Sequence, residues 1–338
     1  MGLVDGLDRY DPRMSFLAVL FALLLEQARP LGRGNPVHVG LRAWVRWSAR
    51  NFDAGQPHHG WLAWSVAVGA PSLLTLAIYW LLNEWLGWPA ATVWSVVVLY
   101  VTLGFRQFSF HFTEIRDALA DGDEDRAAAL LAKWRQLDDS ELRRADLVRH
   151  VIEHSVLAAH RHVFGVLAWF SVLAAFGLGP AGAVLYRLSE FVARYWRHKS
   201  AQQDLPVSDA LQETARDAWT IIDWIPARIT AMAFAVVGSF EDAIDSWRNC
   251  ELRASRDNDD IVLAATSGAV NIRLGDGYAS PVPAGVLSGQ ERREGAREPV
   301  PGQVPEFAHL RIVVGLVWRS VVLWMVLLAL LTLARLLG

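Results

Sequence analysis

Cysteine is almost absent from this chain, since Cys250 is the one thiol among 338 residues. A single thiol excludes an internal disulfide and any metal cluster built on several cysteines. Charge is sparse as well, because Asp, Glu, Lys and Arg together make up 20% of the residues and the formal net charge is −3. That balance gives no reason to expect a nucleic-acid partner.

The sequence also lacks the short motifs of common soluble enzymes. It contains no Walker A motif, no G-x-G-x-x-G fingerprint and no G-x-S-x-G nucleophile motif. Each of these motifs marks a phosphate-binding loop or an activated serine. A nucleotide-binding or hydrolase domain of a familiar soluble type is therefore not expected, although arginines could still bind an anion through paired hydrogen bonds.

Long apolar runs are what the chain has instead. Hydrophobic residues make up 53% of it, the mean hydropathy is +0.23 and tryptophan occurs 16 times. The apolar runs are Met14–Leu25, which is short, and then Trp61–Leu82, Trp85–Phe105, Val156–Leu178, Ala218–Phe240 and Ile312–Leu333. The composition predicts an all-α, polytopic inner-membrane protein with about four or five transmembrane segments, whose first partner is the lipid bilayer.

Basic residues indicate how the chain is oriented. They concentrate in two polar segments, Arg29–His59 and Arg106–Arg149. By the positive-inside rule both segments are predicted to be cytoplasmic. The second segment is predicted to be helical, because Phe108, Phe112 and Ile115 recur at intervals of three and four residues.

The same patterns divide the chain into three parts. Residues 1–278 are predicted to form a helical membrane domain, residues 279–306 a flexible polar loop, and residues 307–338 a C-terminal transmembrane helix. The loop is expected because Gly, Pro, Glu and Arg dominate it. Within the first part, Arg42, Arg46 and Arg50 recur every four residues, which predicts an amphipathic helix on the inner membrane surface.

One apolar run carries an acid, a proline and a base in its middle, at Asp223, Pro226 and Arg228. Proline has no N–H, so the carbonyl of Ile222 loses its helical donor and the helix is expected to kink or break there. In hydrocarbon that carbonyl needs a partner from protein or water. Asp223 and Arg228 are candidate site residues, because ionisable groups at membrane depth are usually functional; alternatively they pair with each other and only brace the kink.

A second candidate is His150-Val151-Ile152-Glu153-His154, which matches the H-x-x-E-H motif. On a helix the two histidines share a face, as two zinc ligands would need. The match is short and the sequence places no third ligand, so a polar helix face at the membrane interface is the favoured interpretation. No metal site is assigned.

Four stretches in order resemble the CobD/CbiB family of membrane proteins and their relative AmpE. They are Leu99–Arg106, Gly179–Arg187, Trp224–Arg228 and Ser267–Gly275. The resemblance covers about Phe16 to Gly275. For the synthase branch it implies an ATP-dependent amide synthesis that joins cobyric acid to an aminopropanol compound in the bacterial inner membrane.

The chain departs from the synthase pattern at acidic and polar positions. At eight positions this chain lacks the residue of the synthase pattern that it resembles; they are Leu157, Ala158, Arg161, His162, Phe191, Ala193, Trp219 and Thr220. At a ninth position it has Glu190 in place of an asparagine. Two features resemble AmpE more closely: the opening run that ends on Glu26, and Asp223 where the synthases carry asparagine. The chain is therefore identified as a divergent member close to AmpE.

Two functions follow from this resemblance. The first is an AmpE-like, non-synthase protein with a sensory or regulatory role in the cell envelope, of the β-lactamase-induction type, acting through an anionic ligand or a partner membrane protein. The alternative is an adenosylcobinamide-phosphate synthase-like enzyme. No cofactor is expected for the first function; Mg²⁺ and ATP belong only to the second, with acids such as Glu114, Asp117, Glu153 or Glu190 as ligands. The candidate ligand-binding residues are Arg106, Glu153, Tyr186, Arg187, Asp223 and Arg228.

Overall fold

The computed structural model describes residues 12–28, 36–135, 146–201, 207–252, 257–275 and 302–337. These residues are almost entirely helical, and a single isolated bridge, Ile272 to Gln303, is their only β pairing. The helices are α1 (Pro12–Ala28), α2 (Pro36–Phe52), α3 (Pro57–Trp85), α4 (Trp88–Thr102), α5 (Phe105–Ala120), α6 (Glu124–Arg135), α7 (Leu147–Ala175), α8 (Ala181–Ala201), α9 (Asp209–Val237), α10 (Phe240–Leu252), α11 (Asn258–Val270) and α12 (Phe307–Leu337). The all-α prediction is confirmed.

Four of the described helices are long and apolar enough to cross a bilayer, namely α3, α7, α9 and α12. Helix α3 has 29 residues, which at 1.5 Å per residue is about 43 Å, more than the roughly 30 Å of hydrocarbon. The polytopic prediction is therefore confirmed. Most of the predicted flexible loop, residues 279–301, lies outside the described residues.

The apolar run Trp85–Phe105 was predicted as a full span, and the structure makes it shorter. Helix α4 has 15 residues, which is about 22 Å and less than the hydrocarbon thickness. It begins after Gly87, whose φ of +81° suits glycine. It ends because Leu103 takes an extended conformation with ψ 148°. Helix α4 packs against α1, which is also short and apolar.

The described chain divides into two compact units. The first unit comprises residues 1–107, 160–226 and 324–338, and the second comprises residues 108–159 and 227–323. The boundaries fall inside α5, α7, α9 and α12, so each of these helices contributes residues to both units.

In the first unit, α2, α3 and α8 share a hydrophobic core. Its fully or almost fully buried members include Val45 and Ala49 of α2, Ala67 of α3 and Trp196 of α8. Glycine lets α7 approach α8 closely, since a Cβ at Gly182 would lie 2.2 Å from the carbonyl oxygen of Trp169. Small residues at helix contacts are typical of membrane bundles.

In the second unit, α10 and α11 form a tight pair. A Cβ at Gly268 would lie 2.1 Å from the backbone oxygen of Asp242, so only glycine fits there. Helix α11 ends at Asn271, which has a left-handed φ of 54°. The next residues are held by Arg273, whose Nε donates to the carbonyl of Gly302 at 2.7 Å.

The polar segment after α4 folds as the periodicity predicted. In α5, Phe112 and Ile115 are buried while the helix surface carries charge. The helix ends at Ala120, and the turn that follows contains Gly122 with φ +76°. The cytoplasmic location of this segment stays a prediction.

Candidate functional site

The candidate site in the first unit begins in α7, where a π-helical turn covers His160–Phe164. A π turn adds one residue to the regular helical spacing and often occurs at functional sites. It places His160 fully inside the unit, with 0% exposure. His160 was missed as a site residue, although a histidine beside an apolar run deserves that hypothesis by default.

Asp223 is the acceptor that His160 faces. His160 Nε2 lies 3.0 Å from Asp223 Oδ1, and the Tyr186 hydroxyl donates to the same oxygen at 2.8 Å. All three residues are fully buried. A carboxylate in a dry site needs hydrogen-bond donors, and here they come from two other helices. These contacts join two of the candidate residues, Asp223 and Tyr186.

The predicted pairing of Asp223 with Arg228 is wrong. In the second unit Arg228 donates from Nη2 to Glu251 Oε1 at 3.3 Å and from Nη1 to Asn258 Oδ1 at 3.4 Å. The physical reason is helical geometry: at 100° per residue, positions five apart point about 140° away from each other. The two side chains therefore leave α9 on different faces and meet different partners.

Pro226 does not break α9, which runs without interruption from Asp209 to Val237. The carbonyl of Ile222 lacks a helical donor because of that proline. The indole N–H of Trp169 donates to it at 2.9 Å. The expectation that this carbonyl needs a protein partner is confirmed, and the expected break is not observed.

We expect Trp169→Phe to destabilise the first unit by about 1–2 kcal/mol, because the Ile222 carbonyl would then lack any donor. Trp94→Phe is the matched control. Trp94 is also half-buried and donates to a helix carbonyl, that of Thr75, at 3.2 Å. That carbonyl keeps its own helical donor, the N–H of Tyr79, so a smaller loss is expected. Thermal unfolding of both variants in detergent checks this, and equal losses would contradict it.

Tyr186 sits under tight constraint between α7 and α9. A Cβ at Gly165 would lie 2.0 Å from the Tyr186 ring, and the ring of Trp219 is 5.1 Å away between centroids. Burial, and then the nearby Asp223 carboxylate, raise the pKa of Tyr186 well above its ordinary value. Tyr186 therefore stays protonated and acts as a hydrogen-bond donor.

Next along α8 is a charged cluster centred on Glu190. Arg187 Nη1 and Arg194 Nε form ion pairs with its two carboxylate oxygens. The Glu190 side chain is 1% exposed, whereas those of Arg187 and Arg194 are 20% and 45% exposed. Burial alone would raise the pKa of Glu190, but Arg194, Arg187 and Arg161 together lower it. Two guanidinium groups thus pair with one carboxylate, so this part of α8 carries an excess of positive charge.

Two further candidate residues, Glu153 and Arg228, belong to the second unit, whereas the Glu190 cluster belongs to the first. Glu153 accepts hydrogen bonds from Arg149 at 3.0 Å and from the backbone N–H of Gly275 at 2.8 Å, and His150 Nδ1 is 3.4 Å away. Glu153 therefore holds the end of the stretch Ser267–Gly275 in place. The sequence motif did not predict the hydrogen bond between the Gly275 N–H and Glu153.

The H-x-x-E-H match has a structural explanation in these contacts. Its first histidine faces Glu153, and the ring of His154 packs edge-on against Trp134 at 4.4 Å. Among the described residues, no three His, Cys, Asp or Glu side chains are grouped to hold a metal. The remaining candidate, Arg106, has no described side chain.

Comparisons with known proteins agree over most of the chain. A family model described as CobD/Cbib protein matches residues 15–294. A cobalamin biosynthesis protein CobD from Stutzerimonas stutzeri (strain A1501) is 29% identical over 330 residues, which is 93% of this chain and 96% of that protein. A protein of the same description from Chromobacterium violaceum is 29% identical over 188 residues, covering 54% and 55% of the two chains. No solved structure matches.

Proposed function

The chain belongs to the CobD/CbiB protein family, and from that premise we propose that it acts in cobalamin biosynthesis. The reaction is the amide synthesis that the family resemblance implies, in which the carboxylate of cobyric acid is joined to the amine of aminopropanol phosphate. Support comes from the match to a cobalamin biosynthesis protein over nearly the whole of both chains. The apolar helices and this kinship make the chain a multi-pass inner-membrane protein.

The AmpE-like regulatory interpretation finds no support in these comparisons, which favour the synthase alternative instead. One feature behind that interpretation also has a local explanation. Asp223 receives hydrogen bonds from His160 and Tyr186. A carboxylate at this position is therefore accounted for by its own partners, without kinship to a regulatory branch.

The observation that carries the proposal is the excess positive charge around Glu190. Arg161, Arg187 and Arg194 all act on this one buried carboxylate. The side chains of Arg187 and Arg194 are 20% and 45% exposed. Guanidinium groups bind phosphates and carboxylates through charge-assisted, paired hydrogen bonds. An anionic substrate such as aminopropanol phosphate matches this charge.

Two of the acids suggested as Mg²⁺ ligands, Glu190 and Glu153, do not fit that role in the structure. Glu190 is enclosed by its arginines, and Glu153 by Arg149, His150 and the Gly275 N–H. Glu114 and Asp117 are more open, with side chains 38% and 59% exposed, although His111 lies 3.7 Å from Glu114 and Arg116 pairs with Asp117 at 2.7 Å. Mg²⁺ is usually held by one or two open carboxylates together with substrate phosphates. No step of ATP activation is therefore assigned to Glu190 or Glu153.

The proposal is tested by expressing the chain in a bacterial strain that lacks the synthase. We expect it to restore growth that depends on cobalamin made from cobyric acid. Purified protein with cobyric acid, aminopropanol phosphate, ATP and Mg²⁺ should yield the amide, detected by mass spectrometry. Normal amounts of protein in the membrane with neither growth nor amide would refute the proposal.

Variants of α8 sharpen this test. Arg187→Gln and Arg194→Gln should each lower amide formation about tenfold or more, since hydrogen bonds to charged groups contribute about 1.5–3 kcal/mol. Arg197→Gln is the matched control, because Arg197 is an exposed arginine of the same helix. Membrane abundance is measured in parallel, so that lost activity is separated from lost protein. Equal activity in all three variants would rule out the arginine cluster as the anion site.

A further inference from the structure

Helix α2 is clamped to a membrane span by one of its faces. Val45, Ser48 and Ala49 are 0–2% exposed there. Trp44 strengthens the contact, because its indole N–H donates to the carbonyl of Ala67 in α3 at 3.2 Å. The position of α2 is therefore fixed by the protein itself, and its other face is free to meet the surroundings.

That other face combines positive charge with exposed apolar groups. Arg42, Arg46 and Arg50 are all exposed and recur every four residues. Val39, which is 56% exposed, lies between the arginines around the helix, and Trp47, which is 46% exposed, lies about 60° beyond Arg50. Within the described part of the chain, no carboxylate forms an ion pair with these arginines.

The contacts of α2 place it near the end of a span. Its buried face packs on Ala63, Ala67 and Val68, which lie about 9–17 Å from the start of α3 at 1.5 Å per residue. Helix α3 exceeds the hydrocarbon thickness by about 13 Å in total, so its ends extend into the headgroup region. Divided between the two ends, this excess is about 6–7 Å at each end, so these contacts lie about 3–10 Å below the headgroup boundary. An interfacial amphipathic helix buries its apolar face to about this depth and keeps its charged face among the headgroups.

The end of α2 is tied to a second span. Asp53, just after the helix, accepts hydrogen bonds at 2.8 Å from the backbone N–H of Ser208 and at 2.6 Å from its hydroxyl. Ser208 directly precedes α9, and its oxygen accepts from the N–H of Leu211. Helix α2 is thus bound to the first half of α3 and to the first turn of α9.

We propose that the exposed face of α2, formed by Val39, Arg42, Arg46, Trp47 and Arg50, binds the headgroups of anionic phospholipids. Guanidinium groups match phosphate oxygens, and tryptophan favours the membrane–water interface. Attraction to an anionic leaflet strengthens binding roughly fivefold for each basic side chain near it. Because α2 is tied to α3 and α9, lipid bound to this face stabilises the start of both spans.

The test compares the full-length protein in nanodiscs of phosphatidylcholine alone and of phosphatidylcholine mixed with phosphatidylglycerol. Phosphatidylglycerol should raise the thermal unfolding midpoint by about 5 °C. The triple variant Arg42→Gln, Arg46→Gln, Arg50→Gln should lose most of this shift, and the corresponding triple lysine variant should keep most of it. The control is Arg116→Gln, Arg126→Gln, Lys133→Gln, which removes the same charge from α5 and α6.

Each outcome of the unfolding experiment either supports or overturns lipid binding by α2. A shift that is present in wild type, lost in the glutamine triple and kept in the control supports the proposal. No shift in wild type, or the same shift in the glutamine triple, overturns it. Equal loss in the triple and its control would assign the effect to net charge alone and would also overturn it. These readouts do not depend on amide synthesis, so the proposed reaction can fail without affecting them.

Discussion

Replacing Glu190 with glutamine is expected to destabilise the first unit by about 3 kcal/mol, because removal of one partner from a buried ion pair leaves uncompensated charge. The carboxylate is 1% exposed and pairs with Arg187 and Arg194. Without it, these guanidinium groups and Arg161 repel one another around a buried position. The unfolding midpoint in detergent should fall by about 5 °C or more.

Two further variants show whether charge is the cause. Glu213→Gln removes an exposed carboxylate from the same unit and should change stability by less than about 0.5 kcal/mol. Adding Arg187→Gln to Glu190→Gln removes part of the repulsion and should recover some of the lost stability. Equal midpoints for Glu190→Gln and Glu213→Gln would show that the cluster does not stabilise the fold.

The ion pairs of Glu190 predict that the stability of the folded protein depends on pH. Burial opposes the charged form of Glu190, but its arginines dominate and lower its pKa in the folded protein. The unfolded chain therefore binds this proton more readily. The stabilising contribution is complete above the ordinary carboxyl pKa and is lost as pH falls through the lowered one. The stability difference between wild type and Glu190→Gln should accordingly shrink in strong acid, and a difference that grew on acidification would contradict this assignment.

Sequence patterns were sufficient for features that depend on local composition. Four of the long apolar runs predicted helices that could cross a membrane, and the described residues contain four helices long and apolar enough to do so. The need of the Ile222 carbonyl for a donor also follows from one residue, Pro226. What the sequence could not provide was the identity of that donor, since Trp169 lies 53 positions away.

The contacts around Glu190 differ in how far they reach along the chain. Arg187 and Arg194 stand three and four residues from Glu190, so their ion pairs follow the usual helical spacing. The influence of Arg161 comes from another helix and cannot be predicted from local spacing.

The length of α4 was overestimated because hydropathy continues through Leu103 and Gly104, where the backbone leaves the helix.

Asp223→Ala is expected to cost about 3 kcal/mol, because His160 and Tyr186 would keep their polar groups fully buried without an acceptor. Both groups now meet a single carboxylate oxygen, at 3.0 and 2.8 Å. Asp223→Asn should cost less, since the amide oxygen can still accept from Tyr186. Thermal unfolding and membrane abundance measure the two losses.

A double-mutant cycle identifies the true partner of Asp223. Combining Asp223→Ala with His160→Phe should cost clearly less than the sum of the single losses, because the histidine removed was already stranded. Combining Asp223→Ala with Arg228→Met should be additive, since Arg228 has Glu251 and Asn258 as partners. If the losses were instead coupled for Asp223 and Arg228 and additive for Asp223 and His160, the Asp223–Arg228 ion pair suggested by the sequence would be the correct assignment. The cycle thus decides between two assignments of the same buried acid, one drawn from nearness along the chain and one from contact across helices.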